Sequence, residues 1–190
     1  MRLAILFLRA RLTCVALTWF AAAAALTWVW LTRFDALPVG LALVTLPLLP
    51  AVVVGAVARS PFGEAEETAS RPMPVYCALH ILGLTIAAAV LLVTVATAVD
   101  AADLRLALAR TLVGFVGLAL LGGRAIGSRV AWLTPLAYAA LVLYLDPASR
   151  WAWPIQMPVE GWSVVCAMAL MAAGLFAVTR PAARDRFDEQ

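Results

Sequence analysis

Long apolar stretches and short polar ones alternate along the whole chain. The apolar stretches cover 12–31, 37–58, 75–99, 104–121, 130–145 and 159–179. A helix needs about 20 apolar residues to cross the hydrocarbon layer, and five of the six runs approach or exceed that length. The pattern predicts an all-α polytopic membrane protein, a six-helix transmembrane bundle forming a single transmembrane domain over 1–190. Ahead of the first run, Arg2, Arg9 and Arg11 are interleaved with Leu3, Ile5, Leu6, Phe7 and Leu8. That interleaving predicts an N-terminal amphipathic helix lying on an anionic leaflet.

The runs differ in ways that bear on mechanism. Pro47 and Pro50 lie inside the second, where each removes a backbone donor, so a kink is expected there. Arg105 and Arg110 lie in the first half of the fourth. Arg110 is the deepest charge in the chain, and the expected fate of its long side chain is to snorkel to the interface; the alternative is an intramembrane polar site, with His80 on the third run as its other candidate member. A basic loop is expected over 122–129, where Arg124 between Gly123 and Gly127 argues against a lipid-facing GxxxG packing motif. The fifth run is short and carries Pro135. Between it and the sixth, 146–158 holds three prolines, Trp151, Trp153 and Arg150, a composition expected of a segment lying at the membrane surface or dipping into it. The charged tail 180–190 is expected to be flexible.

Composition supports the membrane reading. Of 190 residues, 65% are hydrophobic and 13% charged, against roughly 45–50% and about 25% in soluble domains. No soluble domain fits beside six spans, and the first run is too long for the core of a cleaved signal peptide. Cys14, Cys77 and Cys166 lie in or beside apolar runs without a CxxC spacing, so they read as small buried hydrophobes rather than as metal or redox sites. The fourteen basic residues are all arginine. Placing the N-terminus inside puts ten of the fourteen on the cytoplasmic side, leaving Arg33, Arg105, Arg110 and Arg150 outside. The positive-inside bias therefore places both termini and 59–74 in the cytoplasm of a multi-pass plasma-membrane protein. Trp28, Trp30, Trp151, Trp153 and Trp162 then fall at the outer interface.

The longest polar interruption, 59–74, is where a partner or chemistry would be met. With no lysine in the chain, a G-x-x-x-x-G-K-[ST] nucleotide loop cannot occur, and no nucleic-acid partner is indicated. Within the interruption, 66–71 fits E-E-x-x-x-R, and Tyr76-x-x-x-His80 follows. The pair resembles the first two motifs of the CAAX-processing intramembrane proteases. That resemblance implies a glutamate-activated water, but the family also uses a histidine on another helix, and His80 is the only histidine here.

A second resemblance spans most of the chain. Six spans, an amphipathic helix before the first, a coupling loop between the second and third carrying Arg59, Phe62, Glu64, Glu66, Glu67, Thr68, Arg71 and Pro72, and a surface or re-entrant element between the fifth and sixth are together similar to the permease subunits of type-2 ABC exporters. Glu67 stands where that family usually has a glycine before the threonine. The resemblance implies a non-enzymatic permease that docks a separate ABC ATPase through this loop and pairs with a second permease chain in the lipid bilayer. It implies no cofactor on this chain, with ATP and Mg on the partner subunit. The readings set against it are an accessory, immunity or structural membrane protein, and the intramembrane protease above.

Overall fold

The computed structural model describes residues 13–33, 38–58, 73–98, 100–101, 103–127, 130–144 and 149–179. The N-terminal amphipathic segment, the loop residues 59–72 and the tail 180–190 lie outside the described residues, as do Arg59, Phe62, Glu64, Glu66, Glu67, Thr68 and Arg71.

The protein is an all-α membrane-embedded bundle. Among the described residues six α-helices run α1 Thr13–Arg33, α2 Val39–Val57, α3 Met73–Ala98, α4 Leu104–Ala125, α5 Leu133–Tyr144 and α6 Gly161–Thr179. Four helical stretches among the described residues are long and apolar enough to cross a membrane: Val39–Val57, Val75–Ala98, Leu104–Ala125 and Gly161–Thr179. Their outward side chains suit lipid and not water. Leu79, Ile86, Val90, Val165, Met168 and Phe176 are all more than half exposed, more large apolar side chains than soluble monomers ordinarily leave in water. Two of the buried threonines are satisfied within their own helices. Thr27 donates to the Ala23 carbonyl at 2.7 Å and Thr85 to that of Ile81 at 2.8 Å, so neither leaves an open donor in a medium that offers no water.

The helix α4 is the centre. It packs on α2, α3, α5 and α6, most extensively on α6, and it is the most buried of the long helices. Small residues permit the approach. A Cβ at Gly117 would overlap the backbone of Leu170 and Met171 on α6, and one at Gly174 would come within 2.9 Å of the Gly117 carbonyl oxygen. The two helices therefore meet backbone to backbone, the close packing that small residues allow between helices in lipid.

One core cluster is built by Phe20, Val44, Val54, Ile81, Leu92, Leu112, Phe115, Val116 and Val142, among others. A second, smaller one joins the start of α2 (Ala42, Leu43, Leu46), the end of α3 (Ala96) and the start of α4 (Ala107, Leu108), with Trp30 and Val159 against it. At this end of the bundle α2, α4 and α6 begin and α1 and α3 finish. The turn from α3 to α4 is closed here by Asp100, in the left-handed region at φ 58°. The Ala101 N–H reaches the Ala96 carbonyl at 2.8 Å and the Asp100 N–H that of Thr97 at 3.2 Å, the bond pair of a Schellman cap.

Three sequence expectations are corrected. The helix α4 runs on through Gly122, Gly123 and Arg124 to Ala125, so these residues are helical and not loop. Gly122 faces Thr134 of α5, whose side chain would collide with a Cβ there. The fifth span is shorter than 130–145: α5 has 12 residues, roughly 18 Å of helix against about 30 Å of hydrocarbon. Trp153, expected at the interface, is 4% exposed, inside the bundle.

Candidate functional site

The segment 149–160 folds into the bundle between α5 and α6. It starts with Ser149, whose hydroxyl caps a 3-10 turn over Arg150–Ala152, and Ala152, Trp153 and Pro154 are buried. The Trp153 indole is wedged between α4 and α5. It stands edge-on to Phe115 with centroids 6.5 Å apart and stacks on Tyr138 at 6.2 Å. The far end of its ring occupies the space that a Cβ at Gly114 would take. The Tyr138 hydroxyl donates to the Trp151 carbonyl, and Ile155 meets α2 at Gly40. Aromatic wedge, glycine seat and tyrosine tether together fix the segment's depth.

That depth puts backbone carbonyls beside Arg110. Its guanidinium donates to the Pro154 carbonyl at 2.9 Å, to the Ser163 hydroxyl at 2.9 Å and to the Gln156 carbonyl at 3.3 Å. Thr111 also donates to the Pro154 carbonyl, at 3.2 Å, in contrast to the threonines elsewhere that bond back into their own helices. Ser163 in turn donates to the Glu160 carbonyl at 2.7 Å. Arg110 is 4% exposed, and Thr111 and Ser163 are fully buried. The snorkelling expectation is therefore overturned. The side chain points into the protein because protein carbonyls descend to it, and acceptors close by in a dry site outcompete distant water.

The arrangement is a clamp. One cation ties the middle of the 149–160 segment to α4 and to the first turn of α6, entirely through neutral oxygens; among the described residues no carboxylate pairs with it. Charge-assisted hydrogen bonds of this kind contribute about 1.5–3 kcal/mol each, against a desolvation cost of several kcal/mol for a buried ion. The balance is not complete, because the Arg110 Nε and the Gln156 Oε1 are buried without hydrogen-bond partners.

His80 lies half-buried on α3 and is absent from the Arg110 cluster, so the two described members of the sequence's candidate polar site are not brought together. Among the described residues no group of three or more His, Cys, Asp or Glu side chains could hold a metal ion. Sequence reading missed Pro154, Gln156 and Ser163 as partners of Arg110, and Trp153 as the side chain that seats their segment. One signal was there: Arg110, Gly114 and Gly117 recur at spacings of four and three, marking a single face of α4 that carries a charge and two seats for close packing. Comparison with known protein families, with curated proteins and with solved structures finds no match.

Proposed function

We propose that this chain is the membrane-spanning permease subunit of an ATP-driven exporter of the type-2 ABC kind, coupling a cytoplasmic ATPase to substrate translocation. The observation that carries the reading is the 149–160 segment. A short helical element folded back into the bundle between the last two helices is what that architecture requires, and here it is locked to the central helix through Arg110 and Trp153. In this reading the chain crosses the membrane six times, with the turn residues 130–132 extending the short α5 in the fifth crossing, both termini and 59–74 are cytoplasmic, and the permease pairs with a second copy or a similar chain. The clamp is then a latch, since closure of the ATPase would shift α4 against α6 and change how the segment is held.

Orientation is tested first, by thiol labelling of intact cells in a background lacking Cys14, Cys77 and Cys166. Cysteines at Ser70 and Ser128 should react only after the membrane is permeabilised, whereas one at Arg150 should react from outside. Labelling of the Ser70 position in intact cells would reverse the topology and remove the coupling role of the loop.

The partner is tested by co-purification from the native host. In the loop, Phe62 is the apolar anchor for a cleft on the ATPase, and Glu64, Glu66 and Glu67 are its polar rim. A buried aromatic anchor contributes about 2 kcal/mol or more, while rim charges contribute about 0–1 kcal/mol each. Phe62→Ala should therefore lower ATPase recovery more than any single Glu→Gln change, and arginine at all three glutamate positions should abolish it at normal membrane yield. Recovery of the same ATPase at wild-type level by the triple variant, or of none by the wild type, would remove the exporter reading.

A further inference from the structure

Beside the clamp, on its outer side, lies a cavity of about 770 Å³ lined by Arg150, Gln156, Met157, Glu160 and Trp162 among others. Its volume lies within the ~300–1,000 Å³ of ordinary ligand sites. Arg150 and Glu160 carry opposite charges into the same cavity, yet among the described residues neither side chain takes part in an ion pair or a hydrogen bond. A charge-separated wall of this kind does not suit a simple anion, which Glu160 would repel, or a simple cation, which Arg150 would repel. It suits a ligand that carries both charges a few ångströms apart.

The cavity's surroundings say where such a ligand comes from. Trp151 and Trp162, at 73% and 54% exposure, stand at this end of the bundle, and exposed tryptophans at the ends of membrane helices mark the headgroup level. Met157, 40% exposed, adds an apolar side chain to the same rim, where an acyl chain would leave the cavity. We propose that this cavity binds the headgroup of a zwitterionic phospholipid, its phosphate on Arg150 and its ammonium between Glu160 and the face of Trp162. A guanidinium matches phosphate oxygens with its planar fork, and an aromatic face beside a carboxylate is a favourable environment for an alkylammonium. The lipid would sit against the same 149–160 segment whose inner side is held by Arg110. The proposal stands independently of the exporter reading.

The test is native mass spectrometry of the full chain in a non-ionic detergent, with phosphatidylethanolamine and phosphatidylglycerol of matched acyl chains added in equal amounts. Both lipids carry the phosphate; only the first carries the ammonium. The wild type should retain the zwitterionic lipid about fivefold over the anionic one, the size of one favourable charge contact. Glu160→Gln should erase that preference, and Arg150→Ala should lower retention of both lipids. Both side chains are exposed at the surface, and size-exclusion profiles matching the wild type would show that the bundle is intact. Equal retention of the two lipids by the wild type, or unchanged selectivity in Glu160→Gln, would overturn the proposal. Glycerophosphoethanolamine, the headgroup without acyl chains, separates the two sources of this chemistry. It should fail to displace the lipid at millimolar concentration, and displacement would reassign the cavity to a soluble zwitterion.

Discussion

Replacing Arg110 with leucine is expected to destabilise the bundle by about 2–4 kcal/mol and to release the 149–160 segment. Two effects compete. Removing the guanidinium recovers the desolvation cost of a cation that is 4% exposed, and in some proteins that gain dominates. Here the loss should dominate, because the three hydrogen bonds that tie the segment to α4 and α6 go with the cation and one half-buried carbonyl is left without a described donor. The Gln156 carbonyl would lose its only described donor, while that of Pro154 would keep the Thr111 hydroxyl. The Ser163 hydroxyl would still have the Glu160 carbonyl. Arg110→Lys keeps the charge but not the planar fork that serves three oxygens at once, so about half of the loss is expected. Thermal melting in detergent micelles measures the first effect. Proteolysis within 149–160 and a red shift of Trp153 emission, read in a variant whose other tryptophans are replaced, measure the second. Unchanged or increased stability in Arg110→Leu would mean that Arg110 does not hold the segment in place.

Arg110 also shows where sequence reading stops. The all-α membrane bundle was legible because each long helix is apolar throughout, a local property of consecutive residues. The fate of Arg110 was not. Six residues into its helix, it sits about 9 Å from the start, within reach of the interface for a long flexible side chain, so snorkelling was the reasonable expectation. What decides otherwise is a segment more than forty residues away in sequence, whose carbonyls are placed by Trp153 seated on Gly114. Near Arg110 the sequence shows only the seat, Gly114, and not the segment that fills it. The same non-local packing explains the placement of Trp153, whose composition suited the interface but whose ring fills the space left by a missing side chain. The helical continuation through Gly122 and Gly123 was missed for a related reason. Paired glycines read as a break in water, whereas a neighbouring helix covers them here and Gly122 provides the approach for Thr134. The loop residues Arg59 to Arg71, which carry most of the sequence-based case for a partner, lie outside the described residues and bear on function through composition alone.

The largest effect is expected from Gly117, and a graded glycine series makes the expectation testable in rank order. A methyl group at Gly117 would overlap the backbone of Leu170 and Met171, atoms that cannot rotate aside, so α6 itself must move. Gly117→Ala should cost about 3 kcal/mol, the upper end of ordinary overpacking, and Gly117→Leu should prevent assembly of α6 on α4. Gly174→Ala comes next, meeting the Gly117 carbonyl oxygen at 2.9 Å and the Leu120 Cβ at 2.9 Å. Gly114→Ala should cost less in stability, because the atoms in the way belong to the Trp153 ring and a side chain can swing. The swing has a price elsewhere, since it lifts the neighbouring Pro154 and Gln156 carbonyls from Arg110. Gly114→Ala should therefore reproduce the protease sensitivity of Arg110→Leu with a smaller drop in melting temperature. Gly83 meets nothing within 4 Å, and Gly83→Ala should be neutral or stabilising by up to about 1 kcal/mol through helix propensity. Melting temperatures of the purified single variants, measured in one detergent, give the order directly. If Gly117→Ala melts with Gly83→Ala, the two helices are not in backbone contact and the central packing described here is wrong. If Gly114→Ala leaves 149–160 as protected as in the wild type, Trp153 is not what positions the carbonyls that hold Arg110.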